Sequence, residues 1–234
     1  MDPDIFDYKT TERTFRILAS DVVLGRLWLE MYSLLKKCAP GINLHAVPYT
    51  FARQDKMLIN AEVDLVLGGF DSSSDSINAR HVMDSYYICV MRPDNPLAAA
   101  DMTATEFAGA EHLQVSFSGD SFDFVDEKLQ ILGLSRRIVM TVNNFSSVAP
   151  LLIATDLIAV LPAGAVYEYI MDGKLSASRC PIELPVPPLF MLWHKRQGND
   201  LGLQWLMQNI EQNYVESGKI KLEKLNHSIH PSES

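Results

Sequence analysis

Hydrophobic positions along the chain form a pattern that occurs twice, the second copy about one hundred residues after the first. In each copy, short apolar runs typical of buried strands alternate with longer segments whose apolar residues recur at helical spacing. The runs of the first copy span residues 14–20, 41–47 and 64–68, and those of the second span 112–117, 137–142 and 156–161. Each copy predicts the order strand, helix, strand, helix, strand, which is typical of a small parallel α/β lobe. We therefore predict two lobes that face each other across a cleft, and clefts of this kind hold small molecules.

Turn and cap signals set the predicted domain boundaries. Asp21 opens an apolar-rich helix that ends near Pro40 and Gly41, and Thr103 with Glu106 has the spacing of a capping box. The predicted parts are the end of a linker (1–12), lobe I (13–91 plus 189–216), lobe II (92–188) and a flexible C-terminal tail (217–234). The predicted fold class is thus α/β, with two Rossmann-like lobes joined by two crossover strands.

Composition narrows the class of protein. The chain has 234 residues, of which 47% are hydrophobic and 21% charged, so it can bury a substantial core. Its formal net charge of −9 argues against binding a nucleic-acid backbone through this part of the protein. Cys38, Cys89 and Cys180 are widely spaced and indicate neither a disulfide framework nor a zinc site. With no signal-peptide pattern and no apolar run long enough to span a bilayer, the sequence predicts a cytoplasmic protein.

Candidate ligand-binding residues follow from a rule of parallel α/β lobes. Ligands bind beyond the carboxyl ends of the strands, where helices begin. The rule selects Ser20, Asp21, Val22, Gly69 and Phe70 in lobe I, and Ser116, Phe117, Ser118, Asn144 and Phe145 in lobe II. These hydroxyl, amide and aromatic side chains suit a small organic effector that is aromatic or bears a carboxylate. The alternative is that the serines and asparagines only cap helices. Because Asp21 already occupies one helix start, an anion would bind better in lobe II.

Two further features have competing explanations. Trp193 and His194 lie beside the return crossover and could contact the ligand, but a packed, hydrogen-bonded histidine is an equally good explanation. The predicted helix 22–37 is apolar on more than the one stripe that packing on a sheet requires. We favour self-association through its second face, and the alternative is that another segment of the same chain covers it.

Signals for catalysis are weak. The sequence lacks the GxSxG, GxxxxGK[ST], GxGxxG and HExxH motifs. The acidic residues Asp120, Asp123, Asp126 and Glu127 are typical of a solvated helix face, and Cys89, within an apolar strand, is typical of an inert core thiol. We therefore predict no catalytic residue, no cofactor and no metal site.

Six segments, taken in order, resemble a known family. They are Arg13-Thr-Phe-Arg-Ile-Leu-Ala-Ser-Asp21, Pro40-Gly-Ile-Asn-Leu44, Glu62-Val-Asp-Leu-Val-Leu-Gly68, Cys89-Val-Met-Arg-Pro-Asp-Asn-Pro-Leu97, Ala154-Thr-Asp-Leu-Ile-Ala-Val-Leu-Pro162 and Leu192-Trp-His194. Their order and spacing resemble the effector-binding domain of LysR-type transcriptional regulators, over about residues 5–214. Within that family they are most similar to regulators of nodulation and of aromatic-compound degradation.

The resemblance implies a cytoplasmic bacterial inducer sensor with a periplasmic-binding-protein-like fold of type 2. In the family a winged helix-turn-helix precedes this domain, and the protein acts on promoters as a dimer or tetramer. No helix-turn-helix pattern precedes the first strand here, so DNA would be reached only through a part missing from this chain. The family pocket falls on the ligand-binding residues named above.

The resemblance also implies a dimer interface and a mechanism. One face of the interface would contain Leu24, Leu27, Trp28, Met31 and Tyr32, and the other would contain Phe124 and Lys128 of the second copy. The effector would shift the population between two lobe orientations without being changed chemically. The alternatives are a solute-binding protein and a small cytoplasmic enzyme on the same fold.

Overall fold

The computed structural model of the protein describes residues 6–48, 53–69, 72, 74–99, 101–117, 119 and 122–229. Within these ranges strands and helices mostly alternate. In chain order they are β1 (Arg13–Ala19), α1 (Asp21–Cys38), β2 (Ile42–Val47), α2 (Gln54–Ile59), β3 (Leu65–Gly68), β4 (Ile77–Asp84), β5 (Tyr87–Met91), α3 (Ala104–Gly109), β6 (Glu111–Val115), α4 (Phe124–Ile131), β7 (Arg137–Val142), α5 (Val148–Ala154), β8 (Ala159–Pro162), α6 (Tyr167–Met171), β9 (Ser176–Arg179), β10 (Pro188–His194), α7 (Leu201–Ile210), a π turn (Glu211–Val215) and α8 (Glu216–Ile229).

The chain divides into two compact units. Unit 1 comprises Met1–Asp84 and Pro188–Lys219, and unit 2 comprises Ser85–Pro187 and Ile220–Ser234. Compared with the predicted lobes, the first crossing lies a few residues earlier. β5, expected at the end of lobe I, therefore belongs to unit 2, where it pairs with β8 and β9.

Unit 1 contains a five-stranded sheet in the order β2-β1-β3-β10-β4. β1 is parallel to β2 and β3, and β10 runs antiparallel to β3. Phe15 and Ile17 of β1 and Leu27 and Met31 of α1 are buried together in its core. α7 covers the same cluster with Leu203, Leu206 and Ile210.

Unit 2 repeats this arrangement. β6 is parallel to β7 and also bonds to the chain entering β8, where Leu113 N donates to Ile158 O at 2.8 Å. β8 in turn pairs with β5, and β5 with β9, both antiparallel. The resulting order β7-β6-β8-β5-β9 matches that of unit 1 strand for strand. The duplicated hydrophobic pattern predicted the three parallel strands of each unit, but not the two antiparallel strands that complete each order.

Both ends of the chain differ from expectation. The segment before β1, predicted to be the end of a linker, packs on unit 1 in its described part: Phe6 and Tyr8 lie against Trp205 of α7. The predicted flexible tail is wrong for residues 217–229, because they lie within α8 and bury Leu222 and Leu225. Among the described residues, no helix is both long and apolar enough to cross a membrane.

Candidate functional site

In unit 2 the structure brings together two of the predicted loops. Ser116 N donates to Val142 O at 2.8 Å and so joins the carboxyl ends of β6 and β7. Directly beyond them, the rings of Phe117 and Phe145 meet edge to face, with centroids 5.6 Å apart and an interplanar angle of 65°. Phe117 remains exposed and Phe145 half-buried. This part of unit 2 thus offers aromatic surface beside hydroxyl and amide groups.

The polar side chains of these loops also stabilise local backbone. Ser116 Oγ accepts a hydrogen bond from Gly119 N at 3.0 Å. Asn144 Oδ1 accepts from both Ser147 N and Ser147 Oγ, at 2.9 and 2.7 Å, at the start of α5. The alternative explanation, that asparagine supports a helix start, therefore holds for this oxygen of Asn144. The remaining predicted residue of this loop pair, Ser118, lies outside the described residues.

In unit 1 the equivalent residues follow β1 and β3. Ser20 is the N-cap residue of α1, with extended backbone and no side-chain capping hydrogen bond. Asp21 and Val22 form the first turn of α1, and both are half-buried. Gly69 follows β3. Phe70 lies outside the described residues.

Trp193 and His194 lie at the other end of the sheet. β10 runs antiparallel to β3 with Phe190 opposite Gly68 and Leu192 opposite Val66. His194 therefore lies beyond the amino end of β3, about 16 Å along the strands from Gly69. His194 Nδ1 accepts a hydrogen bond from Arg196 N at 3.0 Å, and Trp193 is buried in the core of unit 1. This placement, at the opposite end of the sheet from Gly69, argues against the predicted ligand role of these two residues and favours the alternative of a packed, hydrogen-bonded histidine. The sequence does not show it, because the antiparallel direction of β10 cannot be deduced from the chain alone.

The predicted contact face of α1 needs a similar correction. Leu27 and Met31 are fully buried in unit 1, whereas Leu29 is 77% and Tyr32 is 65% exposed. Leu24 and Trp28 are partly buried against the same core. The outward apolar residues of α1 are therefore Leu29 and Tyr32, at the i, i+3 spacing of one helix face.

On α4, the outward apolar residues also lie beyond those predicted. The Phe124 ring is half-buried against Tyr87, with centroids 4.7 Å apart, and Lys128 is half-buried. Ile131 and Leu132, at the end of α4, are exposed. Their position at the C-terminal end of the helix, before Gly133, was the sequence signal that could have identified them.

A buried charge network holds the start of α4. The Arg136 side chain is only 2% exposed and donates to Asp126 Oδ1 and Asp123 Oδ1, both at 2.8 Å. Asp123 also caps the helix by accepting from Val125 N and Asp126 N. Burial alone would raise the pKa of Asp126, but hydrogen bonds from Arg136 and from Asp123 N hold that pKa below its ordinary value. The expectation of a solvated acidic face is therefore wrong for these two residues.

On β6, two polar side chains face this network. His112 is fully buried, and burial together with the nearby Arg136 charge lowers its pKa to about 4, although a hydrogen bond to Phe107 O opposes the shift. Gln114 Nε2 donates to Asp123 Oδ2 at 3.0 Å. His112 is therefore neutral near pH 7.

Features that could indicate other chemistry are few. Cys89 and Cys180 are buried free thiols; burial raises the pKa of Cys89 well above its ordinary value and that of Cys180 to about 12. Thiols in this state are poor nucleophiles. Within the part of the chain that the structure describes, no three His, Cys, Asp or Glu residues are grouped so as to hold a metal ion.

Comparison with known proteins identifies the family. The model of the LysR substrate binding domain matches residues 9–214. The chain is 28% identical over 205 residues to the HTH-type transcriptional activator NahR of Pseudomonas putida, covering 87% of this chain and 68% of that protein. It is 29% identical over 207 residues to nodulation protein D 2 of Sinorhizobium fredii, covering 88% of this chain and 66% of that protein.

Solved structures agree with this assignment. The regulatory domain of MexT, a transcriptional activator in Pseudomonas aeruginosa, matches with a TM-score of 0.74 and 30% identity, covering 87% of this chain and 98% of that one. The fold is the periplasmic-binding-protein-like type 2 fold of such regulatory domains, so the predicted family and fold class are both confirmed. The relatives are transcriptional regulators rather than enzymes.

Proposed function

Because this chain belongs to the LysR substrate-binding domain family, we propose that it senses a small aromatic effector for a bacterial transcriptional regulator. The observation that carries the chemical class is the edge-to-face pair of Phe117 and Phe145, which retains accessible ring surface. Aromatic rings stack on such side chains with about 0.5–1.5 kcal/mol beyond the effect of buried area. Ser116 and Asn144 supply the neighbouring polar groups.

The internal duplication extends the proposal to unit 1. Ser20 follows β1 as Ser116 follows β6, and β1 and β6 occupy the same place in the strand order of their units. The Ser20 hydroxyl makes no capping hydrogen bond, which supports a role toward a ligand. We include Asp21, Val22 and Gly69 by the same topological argument, and Phe70 and Ser118 remain predictions from sequence.

The signalling step is a population shift. An effector that binds one conformation of the domain more tightly changes the balance of conformations by that difference in affinity. The effector itself is not altered. With a net charge of −9, this chain is unsuited to DNA, so we propose that DNA is contacted by another part of the regulator, in the cytoplasm.

A thermal-shift screen with small aromatic acids, flavonoids and amino acids tests the proposal. A compound that binds only the folded protein at 100 times its Kd stabilises it by about 2.7 kcal/mol, which raises the Tm by several degrees. For a compound that does so, Ser116→Ala and Phe145→Leu are expected to weaken binding about tenfold in calorimetric titration. Ser135→Ala, an exposed serine on the loop after α4, is the matched control.

Two results would contradict the proposal. If the aromatic acids and flavonoids leave the Tm unchanged and a non-aromatic amino acid raises it, the proposed effector class is wrong. If a bound compound keeps its Kd in Ser116→Ala and Phe145→Leu, the location is wrong. Chemical turnover of the compound would favour the alternative of an enzyme on the same fold.

We further propose that the domain forms a homodimer through α1 and α4. The apolar side chains left exposed there, Leu29 and Tyr32 on α1 and Ile131 and Leu132 at the end of α4, support this contact, with the half-buried Leu24, Trp28, Phe124 and Lys128 at its border. Exposed apolar patches of this kind typically mark protein interfaces. Sedimentation should show a dimer that Leu29→Asp dissociates, whereas Val186→Asp, at another exposed apolar residue, should leave it intact. A monomeric wild type would refute this contact.

A further inference from the structure

The C-terminal helical run extends beyond the family match. Residues 201–229, which we call the C-terminal strap, are helical throughout as α7, the π turn and α8. The family model ends at residue 214. The strap belongs to unit 1 up to Lys219 and to unit 2 from Ile220. Here the chain therefore passes from unit 1 to unit 2 within a continuous helix. After Asp84 and Pro187, by contrast, it changes unit next to the end of a strand.

The first part of the strap holds the segment that precedes β1. Tyr8 stacks on Trp205 with centroids 5.5 Å apart and an interplanar angle of 14°, and Phe6 packs on the same ring at 6.1 Å. Gly202 makes room for this contact, since a Cβ there would lie 2.9 Å from Phe6 Cε2. The position of this segment is thus tied to the position of α7.

The middle of the strap is fixed to α1. Arg26 donates a hydrogen bond to Tyr214 O in the π turn, and its guanidinium carbon lies 3.8 Å from the centroid of the Tyr214 ring. A Cβ on Gly218 would lie 2.6 Å from Arg26 Nη2, so a larger residue there would displace the Arg26 guanidinium. Ser217 Oγ donates to Glu30 at 2.7 Å. π turns are rare and occur frequently at functional sites.

The last part of the strap is fixed to unit 2. Leu222 and Leu225 are buried. Tyr86 Oη donates to Leu222 O at 3.0 Å. Lys221 Nζ forms an ion pair with Glu168 at 2.6 Å and lies 5.3 Å from the centroid of the Tyr167 ring. α8 is therefore secured by apolar burial, a hydrogen bond and a charge pair.

We propose that the C-terminal strap couples unit 2 mechanically to the segment preceding β1. A displacement of α8 with unit 2 is passed along the helix through the π turn to α7 and reaches Phe6 and Tyr8 on Trp205. The inference goes beyond the proposed function, because it concerns how a conformational change leaves the domain. Its test uses no effector, so it can fail while effector binding holds, and the reverse is also true.

Hydrogen exchange of the full chain tests the coupling. Leu225→Ala removes a fully buried side chain from the unit 2 end of the strap. We expect amide exchange to rise at least about tenfold in α8, and also in residues 6–12. Exchange can be measured in residues 6–12, because the amides of Thr10 and Thr11 donate hydrogen bonds to Asp7 O and are therefore protected. Tyr86→Phe, which removes only the hydrogen bond to Leu222, should give the same pattern at smaller amplitude. Lys224→Ala, on the exposed side of α8, is the control and should change neither region.

The outcome depends on which regions of the chain show faster amide exchange. A rise in α8 and in residues 6–12, with β3 unchanged, supports the coupling. A rise confined to residues 220–229 and their neighbours in unit 2 overturns it, because α8 is then only a local cover. If Leu225→Ala raises amide exchange in β3 as much as in residues 6–12, the loss of structure is general and the decision rests on Tyr86→Phe. Unchanged exchange in residues 6–12 of that variant overturns the proposal.

Discussion

Replacing Arg136 by methionine tests how the loop beyond β6 is held in place. Methionine keeps much of the apolar volume but removes the cation from Asp123 and Asp126, whose side chains are 26% and 13% exposed. Removing one partner of a buried ion pair lowers the free energy of unfolding by about 3–5 kcal/mol. Because the two carboxylates keep some contact with water, we expect the lower end, about 3 kcal/mol. This corresponds to a shift of about 1 M in the urea midpoint of unfolding.

The neighbouring residue supplies a matched control. Arg137→Met makes the same substitution one position later, at a side chain that is 73% exposed and paired with the exposed Glu111. Exposed pairs contribute about 0–1 kcal/mol. Urea unfolding of both variants at pH 7 is the assay. Equal midpoints for Arg136→Met and Arg137→Met would refute the conclusion that a buried ion pair holds the start of α4.

The same pair predicts a pH dependence with a definite sign. The pKa of Asp126 is held below its ordinary value of 3.8, so its contribution to wild-type stability is present above pH 3.8 and is lost as pH falls through the lowered value. Without Arg136, burial raises the pKa of Asp126, and protonation then relieves the unpaired charge. The difference in stability between wild type and Arg136→Met should therefore narrow from pH 7 to pH 4. A constant difference would contradict this explanation.

Three further predictions concern single side chains. Gly25→Ala should raise the free energy of unfolding by about 0.5–1 kcal/mol, since a Cβ on this helical glycine meets nothing within 4 Å; a lower urea midpoint would contradict this. The pKa of His112 falls from 6.5 to about 4 on folding, so the wild type should lose about 3 kcal/mol as pH drops across this range, and His112→Gln should lose measurably less. Asn144→Ala should cost about 1 kcal/mol by removing the acceptor for Ser147, whereas Asn144→Asp keeps that acceptor and should unfold near the wild-type urea concentration.

The duplicated fold could be predicted from sequence because its signals are local. Buried parallel strands give continuous apolar runs, and helix caps and glycine stops separate them. β4 was missed because it is an edge strand with Arg80 and His81 exposed, which weakens the alternation. The sequence predicts a flexible tail at α8 because lysines and glutamates dominate its composition, although Leu222 and Leu225 have the i, i+3 spacing of one buried face.

The candidate site was only partly accessible to sequence reasoning. The rule for carboxyl ends located Ser116 and Asn144, but whether a polar side chain faces a ligand or its own backbone depends on loop geometry. Trp193 was misplaced because strand direction is a long-range property: nothing within β10 shows that it runs antiparallel to β3. Likewise, Leu27 and Leu29 both belong to the apolar helix, and only packing assigns Leu27 to the core and Leu29 to the surface.

Amide NMR of the labelled protein, titrated with the compound that gives the largest thermal shift, tests the central claim most directly. An aromatic compound is predicted to produce its largest ring-current shifts at Ser116, Phe117 and Phe145, at the carboxyl ends of β6 and β7. Shifts centred instead on β4, or on the amino end of β3 near Trp193 and His194, would show that the effector is recognised elsewhere and would contradict the account.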